Sequence, residues 1–116
     1  RLARKNCKDC RVPDDDVNPK VLTDLGFSPE LASRVKAIKG KGCAKCKDTG
    51  YKGRQGIYEI LMVSKPIKEA ILRKAQTPEL REIAIKEGFQ TMQDMGRRMI
   101  STGELNFREY ERVLST

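Results

Sequence analysis

Polar residues dominate the first third of this chain, and its apolar positions fall into short clusters bounded by proline and glycine. "NPKVLTDLG" and "SPELASRVKAIKG" each open on a capping side chain, Asn18 or Ser28, whose oxygen can accept a free N–H of a first helical turn. Pro19 and Pro29 follow at the first helical position, where no N–H is needed, and Gly26 and Gly40 close the two segments. Two short helices are predicted, the second free to stop early because Gly40 and Gly42 loosen the chain. Asp14 to Asp16 follow Pro13 and read as a solvated turn.

The spacing then changes. Gly50, Gly53 and Gly56 mark turns, and "GIYEILMV" has the β-branched and aromatic content of a strand buried on both faces. Ile57, Glu59, Leu61 and Val63 would share one face, with Glu59 alone breaking the apolar pattern.

From Ser64 onward the period is helical. "SKPIKEAILRKA" places Ile67, Ala70 and Ile71 on one stripe. "TPELREIAIKEG" offers Thr77 as cap, Leu80, Ile83 and Ala84 inward, and Gly88 as stop. "TMQDMGRRMISTG" opens on a Thr91 to Asp94 capping arrangement and ends at Gly103. "NFREYERVL" sets Asn106 three residues before Glu109, with Phe107, Tyr110 and Leu114 along one face. Met92, Met95 and Met99 fit a core stripe, and the adjacent Arg97 and Arg98 diverge as surface residues. The expected fold is mostly α with a short β element, a tetracysteine module followed by a small C-terminal helical bundle. The divisions are 1–53 for the cysteine module, 54–63 for a connecting strand and 64–116 for the helices.

At 116 residues there is room for one ordinary domain, or for a metal-stapled module joined to a helical one. A chain that opens on "RLARKNC" rather than on methionine reads as a piece of something larger. No apolar run approaches the ~18 residues of a membrane span, and no signal segment opens the chain, so a cytoplasmic setting is expected. The formal charge of +8 favours acidic partners. Its distribution narrows that inference: residues 1–52 carry 13 basic and 7 acidic side chains, residues 53–116 carry 11 and 9. The excess sits with the cysteines.

Cys7 and Cys10 form "CKDC", Cys43 and Cys46 form "CAKC", and 32 residues separate the pairs. A two-residue gap lets both sulfurs of one tight turn reach a metal at ~2.3 Å, and the second pair closes a tetrahedron. Structural Zn²⁺ is therefore expected; two disulfides or two redox dithiols are the alternatives. Four thiolates around Zn²⁺ carry a local charge of about −2, which Lys5, Lys8, Arg11, Lys45 and Lys47 are placed to offset. Part of the +8 is then explained internally, which lowers the weight of nucleic acid as a partner. Four protein sulfurs leave no open position for water, so such a site holds shape and activates nothing.

Other chemistry finds no residues. The chain has no histidine to serve as a general base, and "GKGCAKC" lacks the GxxxxGK[ST] spacing of a phosphate-cradling loop. No serine sits in an elbow motif. No catalytic residue is assigned.

Taken together, "RLARKNCKDC", "KGCAKCKDTGYKGRQGIYEIL" and "LREIAIKEGFQTMQDMGRRMISTGELNFREYERVL" resemble the C-terminal region of the secretion ATPases that power type II secretion and type IV pilus assembly. In that family a RecA-like core with Walker motifs precedes this region, and the assembled enzyme is a cytoplasmic hexamer at the inner membrane. The resemblance implies a zinc-binding accessory region of a motor, with ATP bound only in the parent protein's core. Its partners would be that core, neighbouring subunits and an inner-membrane platform protein. By position Cys7, Cys10, Cys43 and Cys46 match the zinc ligands. Arg54, Gly56 and Glu59 match the block that returns the chain from the zinc loop to the core, a structural or docking role.

Two other readings compete. A basic zinc ribbon that binds nucleic acid is one, although Phe27 and Tyr51 are the only aromatics before residue 54 for stacking on bases. A chaperone-type zinc module is the other, although "CAKCKDTGYKG" supplies one such knuckle where J-domain cochaperones repeat it.

Overall fold

The computed structural model describes residues 1–115. Its elements run β1 (Leu2–Asn6), β2 (Arg11–Pro13), α1 (Pro19–Asp24), α2 (Pro29–Arg34), β3 (Ile38–Gly40), a 3₁₀ turn (Ala44–Cys46), β4 (Tyr51–Gly56), α3 (Lys65–Leu72), α4 (Thr77–Lys86), α5 (Met92–Thr102) and α6 (Phe107–Leu114). Among the described residues, six helices and four short strands make an α-rich fold 56 × 29 × 20 Å across.

The caps behave as local chemistry requires. Asn18, Ser28, Ser64 and Asn106 each accept the N–H of the residue three further on, and Thr91 and Asp94 form a reciprocal capping box. α4 starts at its expected cap, one residue earlier than predicted, with Gln76 in the cap position and Thr77 as the first helical residue.

Two antiparallel ribbons organise the first half. β1 pairs with β4 in the register Leu2↔Gly56, Ala3↔Gln55, Arg4↔Arg54 and Asn6↔Tyr51, with a bulge between Arg4 and Asn6. β2 pairs with β3, so Ile38–Gly40, expected as the end of a helix, is a strand: α2 stops at Arg34, and the backbone of 38–40 bonds to Arg11–Pro13 instead. A three-residue partner that lies far away in sequence has no local signature.

One apolar core joins the two halves. Leu22, Phe27 and Ala32 pack with Ala3, Ile57, Met99, Ile100, Leu105, Tyr110, Val113 and Leu114, and Met92 and Met95 lie against its edge. Buried Asn6 ties the seam, its Nδ2 donating to the carbonyls of Ile38 (3.1 Å) and Gly103 (2.9 Å), its N–H to that of Glu104 (2.8 Å). The C-terminal helices pack in pairs, α3 on α4 and α5 on α6, and α6 also covers β1.

The strand expected over "GIYEILMV" is not there. β4 ends at Gly56, and residues 57–64 have no regular structure. The Arg1 carbonyl accepts the Ile57 N–H (2.7 Å), and from Tyr58 to Ser64 no strand pairing forms among the described residues. Ile57 is buried, while Tyr58, Ile60, Leu61, Met62 and Val63 are exposed. The α3 stripe is also narrower than expected: Ile67 and Ala70 are buried, but Ile71 is 52% exposed.

Candidate metal centre

The two cysteine pairs meet because their backbones are hydrogen-bonded to one another. Lys41 N–H donates to the Cys10 carbonyl (2.8 Å) and Cys7 N–H to the Gly50 carbonyl (2.9 Å), which sets the loops side by side. Gly40 and Gly50 stand where the loops touch: a Cβ on Gly40 would lie 2.0 Å from the Gly50 oxygen. No side chain fits there.

All four sulfurs lie within 4.8 Å of one another. Cys7–Cys43 and Cys10–Cys46 are 3.8 Å apart and Cys43–Cys46 3.7 Å, far too long for disulfides, and all four thiols are free. A tetrahedron with metal–sulfur bonds of ~2.3 Å has edges of about 3.8 Å, so the spacing fits the ion that the donor set favours, Zn²⁺. Backbone amides complete the nest. Gly42 N–H points at Cys10 Sγ (3.3 Å), while Cys43 N–H (3.3 Å) and Gly50 N–H (3.2 Å) point at Cys46 Sγ. Donors of this kind stabilise thiolate and orient it toward a bound metal.

The nest separates the thiols electrostatically. Burial opposes ionisation of Cys46, but the N–H groups of Cys43 and Gly50 and the neighbouring thiols Cys43 and Cys10 bring it down to about 6. Cys10 goes the other way: the Gly42 N–H favours its thiolate, yet desolvation and the thiols of Cys7, Cys43 and Cys46 push it up to about 12. One sulfur of the cluster thus ionises more readily than its neighbour.

Lys45 lies 3.6 Å from Asp9, spanning the two knuckles. The three other sequence-assigned residues lie away from the sulfurs. Arg54 lies on β4 directly across from Arg4 of β1. Gly56 gives Tyr58 room to fold back, since a Cβ there would meet the Tyr58 hydroxyl at 2.2 Å. Glu59, the break in the apolar pattern, accepts the Met92 N–H at the start of α5 (3.0 Å) and lies 3.7 Å from Arg81 of α4. Glu59 pairs with Arg81 and the Met92 N–H rather than with Arg54.

Sequence reasoning missed Glu109 as a buried ion. Its side chain is fully covered, and its carboxylate accepts from Arg4 N–H (2.6 Å), Arg4 Nε (3.2 Å) and Nη2 (3.1 Å), and Arg112 Nε (2.7 Å) and Nη2 (2.6 Å). Burial raises its pKa, but the Arg112 and Arg4 hydrogen bonds outweigh that and hold it at about 2. The Asn106-to-Glu109 spacing signalled a cap; nothing local signalled a partner 105 residues away.

Among the described residues no helix is long and apolar enough to cross a membrane. The chain is 38% identical over 96 residues to a type IV pilus assembly ATPase PilB of Thermus thermophilus, covering 83% of this chain and 11% of that protein. It is 32% identical over 109 residues to the Myxococcus xanthus PilB, covering 94% of this chain and 19% of the relative. To the type II secretion system protein HxcR of Pseudomonas aeruginosa it is 29% identical over 113 residues, 97% of this chain and 20% of the relative. The chain thus spans between a tenth and a fifth of the length of these proteins. Residues 1–112 match the model of the type II/IV secretion system proteins, and the chain belongs to that family.

Proposed function

We propose that this chain is the noncatalytic, zinc-stabilised C-terminal module of a type II secretion or type IV pilus assembly ATPase, serving subunit assembly or partner docking. The observation that carries the reading is the convergence of four free thiols, at tetrahedral spacing, in a member of this family. Zn²⁺ held by Cys7, Cys10, Cys43 and Cys46 supplies cross-linking and no Lewis-acid chemistry, because every coordination position is a protein sulfur. ATP belongs to the parent protein's nucleotide-binding core, and the full motor is a cytoplasmic hexamer seated peripherally at the inner membrane on a platform protein.

The docking half of the proposal is supported by the exposed apolar side chains Tyr58, Ile60, Leu61, Met62 and Val63, together with exposed Ile71, Leu72 and Ile85. Exposed large apolar side chains clustered along one segment are a mark of an interaction site. Arg54, Gly56 and Glu59 frame the point where the chain leaves β4, and the units 1–53, 54–63 and 64–116 serve as metal module, connector and helical module.

Metal analysis tests the first half. Roughly one zinc per chain is expected, with loss of native spectra on chelation; less than about half an equivalent, or spectra indifferent to chelation, overturns it. ATP hydrolysis by this chain at the level of a blank is expected, and turnover above it contradicts the noncatalytic reading.

A further inference from the structure

One face of the β1–β4 ribbon carries a charge arrangement that the metal centre does not use. Arg4 and Arg54 are directly opposed across the ladder, and like charges in that relation repel. With Arg112 of α6 and Leu2 they line an open cleft of 530 Å³ whose lining includes no acidic side chain. Glu109 beneath it supplies one negative charge, shared between Arg4 and Arg112. Arg54 has no ion pair or hydrogen bond from its side chain among the described residues. Three guanidinium groups set against one carboxylate leave two positive charges uncompensated at the cleft.

The same contacts fix where those charges point. Arg4 and Arg112 each give Nε and Nη2 to Glu109, so the Nη1 side of each group is left for another partner. The Arg4 guanidinium also lies 4.1 Å over the Tyr51 ring. Their side chains remain 46% and 55% exposed although both are anchored. A surface arginine ordinarily gives up rotamer freedom when it binds; here a buried carboxylate and an aromatic face have already removed that freedom. Planar guanidinium groups fixed in this way suit the tetrahedral oxygens of a phosphate group.

We propose that Arg4, Arg54 and Arg112 form an oxyanion site for a phosphate group, with Glu109 as the positioning residue that aims two of the three guanidinium groups. A phosphate bridging Arg54 to Arg4 and Arg112 would relieve the cross-strand repulsion and supply the missing negative charge. The phosphate could be free in solution or displayed by a phospholipid headgroup, and the chemistry of recognition is the same.

Arg54→Ala is the discriminating variant, because removing an exposed side chain without partners leaves the fold intact. Inorganic phosphate is titrated into the metal-loaded chain at low ionic strength while guanidinium Nε–H resonances are followed by NMR. Saturable shifts at Arg4, Arg54 and Arg112 are expected, weakened roughly tenfold by Arg54→Ala and partly restored by Arg54→Lys. Lys20→Ala, an equal charge loss elsewhere on the surface, should leave them unchanged. A second arm measures co-sedimentation with phosphatidylcholine vesicles with and without phosphatidylglycerol. Binding to the anionic vesicles alone, lost in Arg54→Ala and kept in Lys20→Ala, would support the site and assign it a lipid headgroup. No saturable shift and no vesicle binding, or equal loss from Arg54→Ala and Lys20→Ala, overturns the proposal.

Discussion

Gly40 and Gly50 touch backbone to backbone across the two cysteine loops, with a Cβ on either falling within 2.5 Å of the other's carbonyl oxygen. Gly50 also has φ +81°, a conformation that side-chain-bearing residues adopt at a cost. Gly50→Ala should therefore push the loops apart and turn its N–H away from Cys46. The expected outcome is a loss of zinc affinity of about 10- to 100-fold, read by competition with a chromogenic chelator. Gly88→Ala, at a positive φ but facing open space, should leave affinity unchanged.

Glu109 predicts an acid-labile helix seat. Its carboxylate sits at about 2 when folded against an ordinary 4.5, so its contribution is complete above pH 4.5 and is lost as pH falls toward 2. The shift corresponds to at most about 3 kcal/mol, reduced by screening of its half-exposed arginine partners. Glu109→Gln should destabilise the chain at neutral pH, and its difference from the unsubstituted chain should shrink over the pH 4.5 to 2 interval. Denaturant unfolding of both chains across that range measures this; a constant difference would remove Glu109 as the titrating group.

Glu59 fastens the connector to α5 through the Met92 N–H, a donor the helix itself cannot satisfy. Glu59→Ala should cost about 0.5–2 kcal/mol, concentrated in faster amide exchange over the first turn of α5. Glu59→Gln, which keeps an acceptor but loses the charge, should cost less. The Arg81 contact at 3.7 Å is half exposed, so Arg81→Ala should change little.

Ile60 and Met62 are 73% and 78% exposed, so charge there should leave the fold alone. The double variant Ile60→Lys, Met62→Lys should unfold within about 0.5 kcal/mol of the unsubstituted chain while binding an apolar dye and self-associating less. Denaturant titration and sedimentation velocity read the two effects separately.

What could be read ahead of the structure followed from how local each interaction is. The caps at Asn18, Ser28, Thr91 and Asn106 need only the next three residues, and the cysteine cluster is announced by residue type and spacing. β1 and β3 could not be read this way, because each exists through a partner elsewhere in the chain. The same holds for the Arg4–Glu109–Arg112 cluster, which sequence presents as ordinary surface charge. Composition did identify "GIYEILMV" as strand-like, yet β4 ends at Gly56 and residues 57–64 join no strand among the described residues, because strand pairing depends on a partner that composition does not specify.

The register of β1 on β4 has a mechanical side. Its Leu2↔Gly56 end faces the connector and its Asn6↔Tyr51 end faces the cysteines. Tension applied between Arg1 and Ile57 would open this ribbon like a zipper, one rung at a time and at low force, rather than shearing all its hydrogen bonds together. The opening would travel toward Cys7, whose N–H is already bonded to Gly50. A metal gripped by the four thiolates would stand at that end as the rivet where unzipping stops.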